Sequence, residues 1–275
     1  MIDVHCHLNF EAFEKDYDEI IKKAFDANVT TIINVGTKLD SSRRAIELAE
    51  KYDNLYAIVG VHPHHADKIE PFGTLRASWL EELEKIAKSS KQVVAIGEIG
   101  MDNYQYQSNG ITDPKLQAEI FIKQIELAHK LKLPLQIHNR HAGQEIVDIL
   151  LNHKSLLLNP PGMFHCFAGN IEILKKVLDL GFFVGFDGNI TYKGLAPGED
   201  TSLSDLAKAT PLNRLVIETD SPYLTPQPHR GSRNMPSYAI LTAQFIAKLK
   251  GVTVEHVIEQ TTKNAHTIFR INSNI

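Results

Sequence analysis

Short apolar runs alternate along this chain with segments whose apolar residues recur at helical spacing, and this alternation predicts an α/β fold built on parallel strands. Runs of strand length occupy residues 2–8, 30–36, 55–61, 92–98, 133–138, 162–167, 182–187 and 214–220. Helical spacing is found at residues 11–28, 40–52, 74–89, 144–152, 171–180, 202–209, 237–250 and 254–270. A further long helix is predicted to begin at Pro114, after the N-cap residue Asp113. The pattern therefore predicts eight strands with helices between them.

Local capping residues support several of the predicted helix boundaries. Asp40, Asp113 and Asn170 stand where an N-cap side chain can accept a backbone hydrogen bond, and Ser202 with Asp205 has the spacing of a capping box. Gly181 follows the helix at 171–180 and is expected to end it. The segment 100–112 is polar and long for a connection after a strand, which is typical of an active-site loop.

Eight strands are the number that closes a (β/α)8 TIM barrel, and 275 residues fit one such domain. We therefore expect residues 1–275 to form a single TIM-barrel domain. A doubly wound open sheet is the competing architecture, and it usually carries a glycine-rich turn after its first strand. This chain has His5-Cys6-His7-Leu8-Asn9 at that position, which favours the barrel.

Composition and charge limit the classes of function. Lys and Arg number 29 against 33 Asp and Glu, for a net charge of −4 and a pI near 6.3, so an extended electropositive groove for nucleic acid is not expected. Cys6 and Cys166 lack zinc-finger spacing and are expected to be reduced core residues. No apolar run approaches the roughly 20 residues of a membrane helix, and the first predicted strand begins at Ile2. We expect a cytoplasmic protein.

Polar residues that can bind metals follow the apolar runs of five predicted strands. They are His5 and His7 on the first strand, then Glu98, His138, His165 and Asp220. Because successive side chains of a strand point to opposite faces, the two histidines of the first strand share a face with Cα atoms about 7 Å apart. The carboxyl ends of barrel strands meet at one face, where six such groups would be costly to bury without a charge-compensating partner. Divalent cations would supply that compensation.

Six protein ligands exceed the three that a catalytic zinc commonly uses, so the sequence predicts two divalent ions. We assign His5, His7 and Asp220 to one ion, His138 and His165 to the other, and Glu98 to both. Two ions can activate a water for attack on phosphorus or a carbonyl carbon, and we expect Glu98 and Asp220 to be the catalytic carboxylates, with Asp220 accepting the proton. Four imidazoles favour Zn, Mn or Co over Mg. Each residue taken singly has a structural explanation, such as a capping carboxylate or a hydrogen-bonded core histidine.

A further set of residues is predicted to contact substrate. His62 and His64 follow the third strand, Arg140 lies two residues beyond His138, and Arg230 and Arg233 lie in the loop after the eighth strand. Guanidinium groups match phosphate oxygens, although solvated loop charges are an open alternative for the arginines. Asp102 is expected to orient a metal ligand rather than to bind metal itself.

Several motifs together resemble the TatD family of metal-dependent hydrolases. They are His5-x-His7, Gly97-Glu98-Ile99-Gly100 with Asp102, His138-Asn139-Arg140, His165-Cys166-Phe167-Ala168-Gly169 and Glu218-Thr219-Asp220-Ser221-Pro222-Tyr223-Leu224. The resemblance implies a TIM barrel of the amidohydrolase type, a divalent-metal site, and deoxyribonuclease activity that is typically 3′-to-5′ exonucleolytic on single-stranded DNA or RNA. The family's metal ligands fall on the six residues assigned above, and its histidine after the third strand falls on His62. The implied partner is a single-stranded DNA or RNA end, with no obligate protein partner and no membrane.

Three positions depart from the pattern of that family. Met235 stands where many relatives carry glutamate, Asp187 where serine is more usual, and Asn103 where tyrosine is common. Asp187 is expected to lie near the mouth of the barrel, where a charged carboxylate would repel phosphate unless it is turned away or paired. Two other functions stay open: hydrolysis of ester or amide bonds, as in a D-aminoacyl-tRNA deacylase, and a non-catalytic scaffold that binds metal or nucleic acid.

Overall fold

A computed structural model of the chain describes residues 1–69, 78–107 and 110–271. Within these ranges eight parallel strands form one sheet in the order of the sequence. They are β1 (Ile2–Cys6), β2 (Thr31–Val35), β3 (Leu55–Val59), β4 (Val93–Asp102), β5 (Leu135–Arg140), β6 (Gly162–Phe164), β7 (Phe183–Phe186) and β8 (Leu215–Ile217). The predicted TIM barrel is confirmed.

The barrel closes where β1 meets the segment that follows β8. The backbone N–H of His7 donates to the carbonyl of Ser221 at 2.8 Å, and the N–H of Asp220 donates to the carbonyl of His5 at 2.9 Å. These bonds join the first and last segments of the sheet, so the open doubly wound alternative is excluded.

Helices connect the strands and cover the outside of the barrel. They are α1 (Tyr17–Asp26), α2 (Leu39–Ala49), α3 (Ala66–Ile69), α4 (Ser78–Lys88), α5 (Pro114–Leu131), α6 (Gly143–Asn152), α7 (Ile171–Asp179), α8 (Leu203–Ala209), α9 (Ala239–Lys250) and α10 (Val254–Phe269). The helix predicted at 11–28 is divided into a 3₁₀ turn, Glu11–Phe13, and α1. The helix predicted at 74–89 corresponds to α4, and its first four residues lie outside the described ranges.

Most of the predicted caps are present. The side chains of Asp113, Asn170 and Ser202 accept hydrogen bonds from backbone N–H groups at 2.9, 2.9 and 3.1 Å and begin α5, α7 and α8. Asp40 does not cap α2, because that helix already begins at Leu39. The hydroxyl of Ser41 instead accepts from the N–H of Lys38 at 3.0 Å, since this shorter side chain reaches back over the first turn.

Strand β4 differs most from its prediction, because it continues to Asp102 rather than ending at Glu98. Its register with β5 pairs Ile96 with Leu135 but Ile99 with Ile137, so β4 carries one residue more than β5 between these two pairs. Such a β-bulge re-aims the side chains of the bulged strand. Glu98 therefore enters the barrel from within a strand, and Asp102 marks the strand's end.

The apolar residues form two buried clusters. One packs the strands against the surrounding helices and includes Phe121, Phe164 and Phe182. The second joins strand residues such as Val4 and Ile33 to Ile268 and Phe269 of α10. Both cysteines are free thiols, as predicted, but only Cys6 is buried in the core, whereas Cys166 is half-buried and lines the cavity described below. In the described part of the chain no helix combines the length and the apolar character needed to cross a membrane.

Candidate metal centre

The six predicted ligands meet at the carboxyl-end mouth of the barrel, and the first group lies where β1 approaches the end of β8. The Nε2 atoms of His5 and His7 are 3.0 Å apart. The Oδ1 atom of Asp220 lies 3.5 Å from Nε2 of His5 and 3.3 Å from Nε2 of His7. Two imidazoles and one carboxylate therefore point at a common space.

Glu98 lies between this group and a second group of histidines. Its Oε2 atom is 3.7 Å from Nε2 of His5. Its Oε1 atom is 2.8 Å from Nδ1 of His138, 3.5 Å from Nε2 of His165 and 3.4 Å from Nε2 of His62. The two oxygens of one buried carboxylate thus face two different sets of imidazoles, which is the arrangement expected of a bridging ligand.

The structure groups the potential ligands differently from the sequence-based assignment. Three sets have ligand atoms within 4.8 Å of one another: His5 with His165 and Asp220, His5 with His7 and Glu98, and His62 with Glu98 and His138. His165 stacks on His5 with ring centroids 3.6 Å apart, although the sequence paired His165 with His138. His62, predicted as a substrate contact, lies among the ligand candidates. Its position just after the third apolar run, close to the carboxyl end of a predicted strand like the other candidates, was the available signal.

The donor set fits divalent metal ions. His5 is fully buried, and its Nδ1 atom has no hydrogen-bond partner in the described part of the chain. Glu98 and His165 are 4% and 3% exposed, so these polar groups are removed from water and crowd against one another. Burying such groups is costly unless a partner compensates them, and imidazole and carboxylate groups are both common ligands of divalent metal ions.

Proton affinities are shifted strongly within this cluster. Burial lowers the pKa of His138, but its contacts with Asp102 and Glu98 outweigh burial and raise the pKa to about 9. Burial likewise opposes protonation of His165, yet Glu218 and Glu98 raise its pKa to about 10. Burial would raise the pKa of Glu98, but the surrounding histidines outweigh it and hold the pKa well below its usual value. In the metal-free protein, His138 and His165 are therefore expected to be protonated at neutral pH.

Two other histidines of the cluster, His5 and His62, are held neutral. Burial, together with the neighbouring His165, lowers the pKa of His5 well below its usual value. Burial lowers the pKa of His62 to about 4. A neutral imidazole is the form that binds a metal ion, so His5 and His62 are ready ligands near pH 7.

Asp102 holds two histidines in place behind the centre. Its Oδ2 atom lies 3.2 Å from Nε2 of His138 and 2.9 Å from Nε2 of His64, and it accepts from the hydroxyl of Tyr106 at 2.9 Å. Because Nε2 of His138 faces this carboxylate, Nδ1 is left facing Glu98. Asp102 thus orients a candidate ligand as the sequence suggested.

Two supporting carboxylates were missed by the sequence reasoning. Glu218 is fully buried, and its Oε2 atom lies 3.2 Å from Nδ1 of His165. Asp3 accepts from the N–H and hydroxyl of Thr219 at 3.0 and 2.6 Å, which ties the segment carrying Asp220 to β1. Asp3 lies within β1 and Glu218 directly follows β8, and a carboxylate in an apolar run was the signal that could have found them.

A cavity of about 860 Å³ opens above the centre. Arg140 lines it, with its guanidinium 3.9 Å from the centroid of the Tyr104 ring and its Nη1 donating to the Tyr106 hydroxyl at 2.7 Å. Arg230 also lines the cavity and lies 4.1 Å from the centroid of the Tyr192 ring. His62 and His64 are lining residues as well. Two cations held against aromatic rings therefore line the same cavity as the candidate ligands.

Arg233 is not brought to this cavity, in contrast to its predicted contact with substrate. Its Nη1 and Nη2 atoms donate to the Asp16 carboxylate at 3.1 and 2.5 Å, and Nη1 also donates to the carbonyl of Ala12. The guanidinium packs over the ring of Phe13 at 4.7 Å. Arg233 therefore joins the loop after β8 to the segment before α1.

The three departures from the family pattern lie away from the ligand candidates or are neutralised. Asp187 is fully buried and accepts from the N–H of Asn189 at 2.9 Å, and burial raises its pKa to about 8, so it is mainly uncharged at neutral pH. It does not present the repulsive charge that its position suggested. Asn103 donates to Glu145 at 2.6 Å, and Met235 packs on the main apolar cluster.

Comparisons with known proteins agree with this geometry. The family model described as TatD related DNase matches residues 2–270. The chain is 38% identical to YabD of Bacillus subtilis, named an uncharacterized metal-dependent hydrolase, over 99% of this chain and 100% of that protein. It is 30% identical to mouse TATDN3, whose name includes the word deoxyribonuclease, over 98% of this chain and 88% of that protein. The crystal structure of the TatD homologue YJJV from Escherichia coli superposes with a TM-score of 0.87 at 28% identity, covering 99% of this chain and 98% of the other.

Proposed function

This chain belongs to the family of TatD-related DNases and is a metal-dependent hydrolase, and from that premise we propose that it is a nuclease that cleaves phosphodiester bonds at the end of a single-stranded DNA or RNA. The observation that carries the proposal is the position of the Glu98 carboxylate. Its two oxygens face two sets of imidazoles beneath a cavity bordered by arginines. A site of this kind suits an anionic ester, because metal ions and guanidinium groups can both bind its oxygen atoms.

Each candidate ligand has a place in this proposal. Two divalent ions, which would be Zn, Mn, Co or Mg, would be held by His5, His7, His62, His138, His165, Glu98 and Asp220. Glu98 would be a ligand of both ions. Such ions would polarise the scissile phosphate and would lower the pKa of the attacking water, so that the water loses a proton more easily.

The protein's own groups would move the proton and hold the substrate. Asp220 is 14% exposed in its side chain, so it reaches the cavity while its Oδ1 atom stays near His7. We propose that it accepts the proton that the attacking water loses. Arg140, already oriented by Tyr104 and Tyr106, would bind a non-bridging phosphate oxygen with little loss of side-chain entropy.

The overall charge of −4 is compatible with a nucleic-acid substrate. A cavity of about 860 Å³ holds a short part of a strand, so recognition rests on a few local cations rather than on a long basic surface. The partner we propose is accordingly a strand end, with no protein subunit required.

The proposal is tested by incubating end-labelled single-stranded oligonucleotides with the metal-loaded protein. We expect wild type to shorten them and Glu98→Gln to lower kcat/KM by at least about 100-fold, since it removes the charge shared by both sets of ligands. Glu84→Gln is the matched control, because Glu84 pairs on the surface with Lys88 and Lys130 and is remote from the centre. If wild type leaves the oligonucleotides intact but hydrolyses aminoacyl esters, the protein is an ester hydrolase and the nuclease proposal is wrong. Metal-dependent binding without any cleavage would replace it by a scaffold.

A further inference from the structure

Tyr223 is an aromatic residue at the cavity that the proposed chemistry leaves without a role. It lines the cavity, yet it is 54% exposed. The rings of His7 and Phe10 lie 6.5 Å from its ring, at interplanar angles of 66° and 70°. Both neighbours thus meet Tyr223 edge to face rather than by stacking, while more than half of its surface stays open.

The backbone beneath this ring is held rigidly. The N–H of Tyr223 donates to the carbonyl of Asp220 at 2.9 Å. The side chain of Asn234, which is fully buried, donates to the carbonyls of Tyr223 and Thr219 at 2.6 and 2.7 Å. The ring is therefore presented by a fixed turn, and a ligand that stacks on it pays little to order it.

The turn also sets the distance between the ring and the chemistry. Tyr223 follows Asp220 by three residues, and its ring borders that of His7, whose Nε2 lies 3.3 Å from Asp220. A nucleotide with its phosphate at the ligand cluster can reach this ring with its own base. Further around the cavity, Tyr192 carries Arg230 on its face, so that ring is already occupied by a cation that suits a backbone phosphate.

We propose that Tyr223 is the platform on which the terminal nucleobase stacks while its phosphate lies at the metal centre, a subsite that rests on the proposed nuclease function. Stacking uses the flat face that every base has, so the subsite accepts all four bases. A base held in a duplex cannot leave its partner without cost, so the same contact selects an unpaired end. Tyr223 thereby determines the preference for single strands, while the metal ligands determine the bond that is cleaved.

The test uses three single-stranded substrates of one sequence: a complete strand, a strand whose 3′-terminal residue lacks a base, and a strand whose 5′-terminal residue lacks a base. Each is digested by wild type, Tyr223→Ala and Tyr223→Phe, after metal content and thermal unfolding are shown to match. Stacking on an aromatic side chain is worth about 1–3 kcal/mol per base, so Tyr223→Ala should lower kcat/KM on the complete strand by about 5- to 150-fold, mainly through KM. Tyr223→Phe keeps the ring and should recover most of the loss.

The base-free strands separate stacking from a structural role. We expect the effect of Tyr223→Ala to disappear on one of them, and the strand on which it disappears identifies the end that Tyr223 binds. An equal loss on all three strands, or a loss that Tyr223→Phe shares, would overturn the stacking proposal while leaving the nuclease intact. If wild type digests none of the three, the nuclease proposal fails and the subsite fails with it.

Discussion

Replacing Asp187 with asparagine is expected to remove a loss of stability that the wild-type protein suffers at alkaline pH. The Asp187 side chain is fully buried behind the cavity wall, and Oδ1 accepts from the N–H of Asn189 at 2.9 Å. The Oδ2 atom has no hydrogen-bond partner within the described ranges. Burial, followed by the charges of Glu218 and Asp220, raises the pKa of Asp187 from 3.8 to about 8. The folded state therefore favours the protonated carboxyl.

The sign and size of the effect follow from that difference in pKa. Because the folded-state pKa lies above the unfolded value, the stability that the group contributes is present below pH 4 and is lost as the pH rises through about 8. The whole change is worth roughly 6 kcal/mol, of which about 3 kcal/mol falls between pH 6 and pH 9. Asparagine keeps an oxygen for the N–H of Asn189 and does not ionise, so the variant escapes this loss.

Thermal unfolding at pH 6 and pH 9, with matched metal content, measures the difference. When the pH rises from 6 to 9, we expect the Tm of wild type to fall by roughly 6 °C more than the Tm of Asp187→Asn. Asp53→Asn changes an exposed carboxylate in the same way and should follow wild type at both pH values. Parallel Tm profiles for Asp187→Asn and wild type would refute the assignment of a neutral, buried carboxyl at this position.

Three further outcomes are expected. Because the raised pKa values of His138 and His165, about 9 and 10, keep both protonated in the metal-free protein, metal loading at pH 7 should release about two protons. Calorimetry in buffers of different ionisation enthalpy measures this number, and a release near zero would contradict it. Asp102→Asn should weaken metal binding by roughly 10- to 100-fold, as measured by competition with a chelator, because it removes the charge that orients His138; unchanged affinity would count against that role. Arg140→Ala should raise KM for oligonucleotides, whereas Arg233→Ala should not, since Arg233 is paired with Asp16 away from the cavity; equal KM values for the two variants would oppose the assignment of Arg140 to substrate.

Periodicity and residue type were enough to predict the barrel and the convergence of its polar strand ends. The apolar runs and amphipathic segments alternate because each strand and helix has apolar residues at the positions that it buries, so the pattern can be seen in its own sequence. Since parallel strands in a barrel share one carboxyl end, residues as distant as His5 and Asp220 could be expected at one mouth. Caps such as Asn170 were readable for the same reason, because their hydrogen bonds are made within a few residues.

The tertiary structure alone decided which partners these side chains meet. The register shift between β4 and β5 falls at the residues around Glu98, and it depends on how the two strands pair. His62 lies among the ligand candidates. Arg233 lies away from the cavity and pairs with Asp16, which is 217 residues away in the chain. The neutral state of Asp187 arises from burial and nearby charges that no local pattern shows. Periodicity reports which face of an element is buried, whereas the partner across that face and the proton affinity it imposes depend on segments brought together only when the barrel closes.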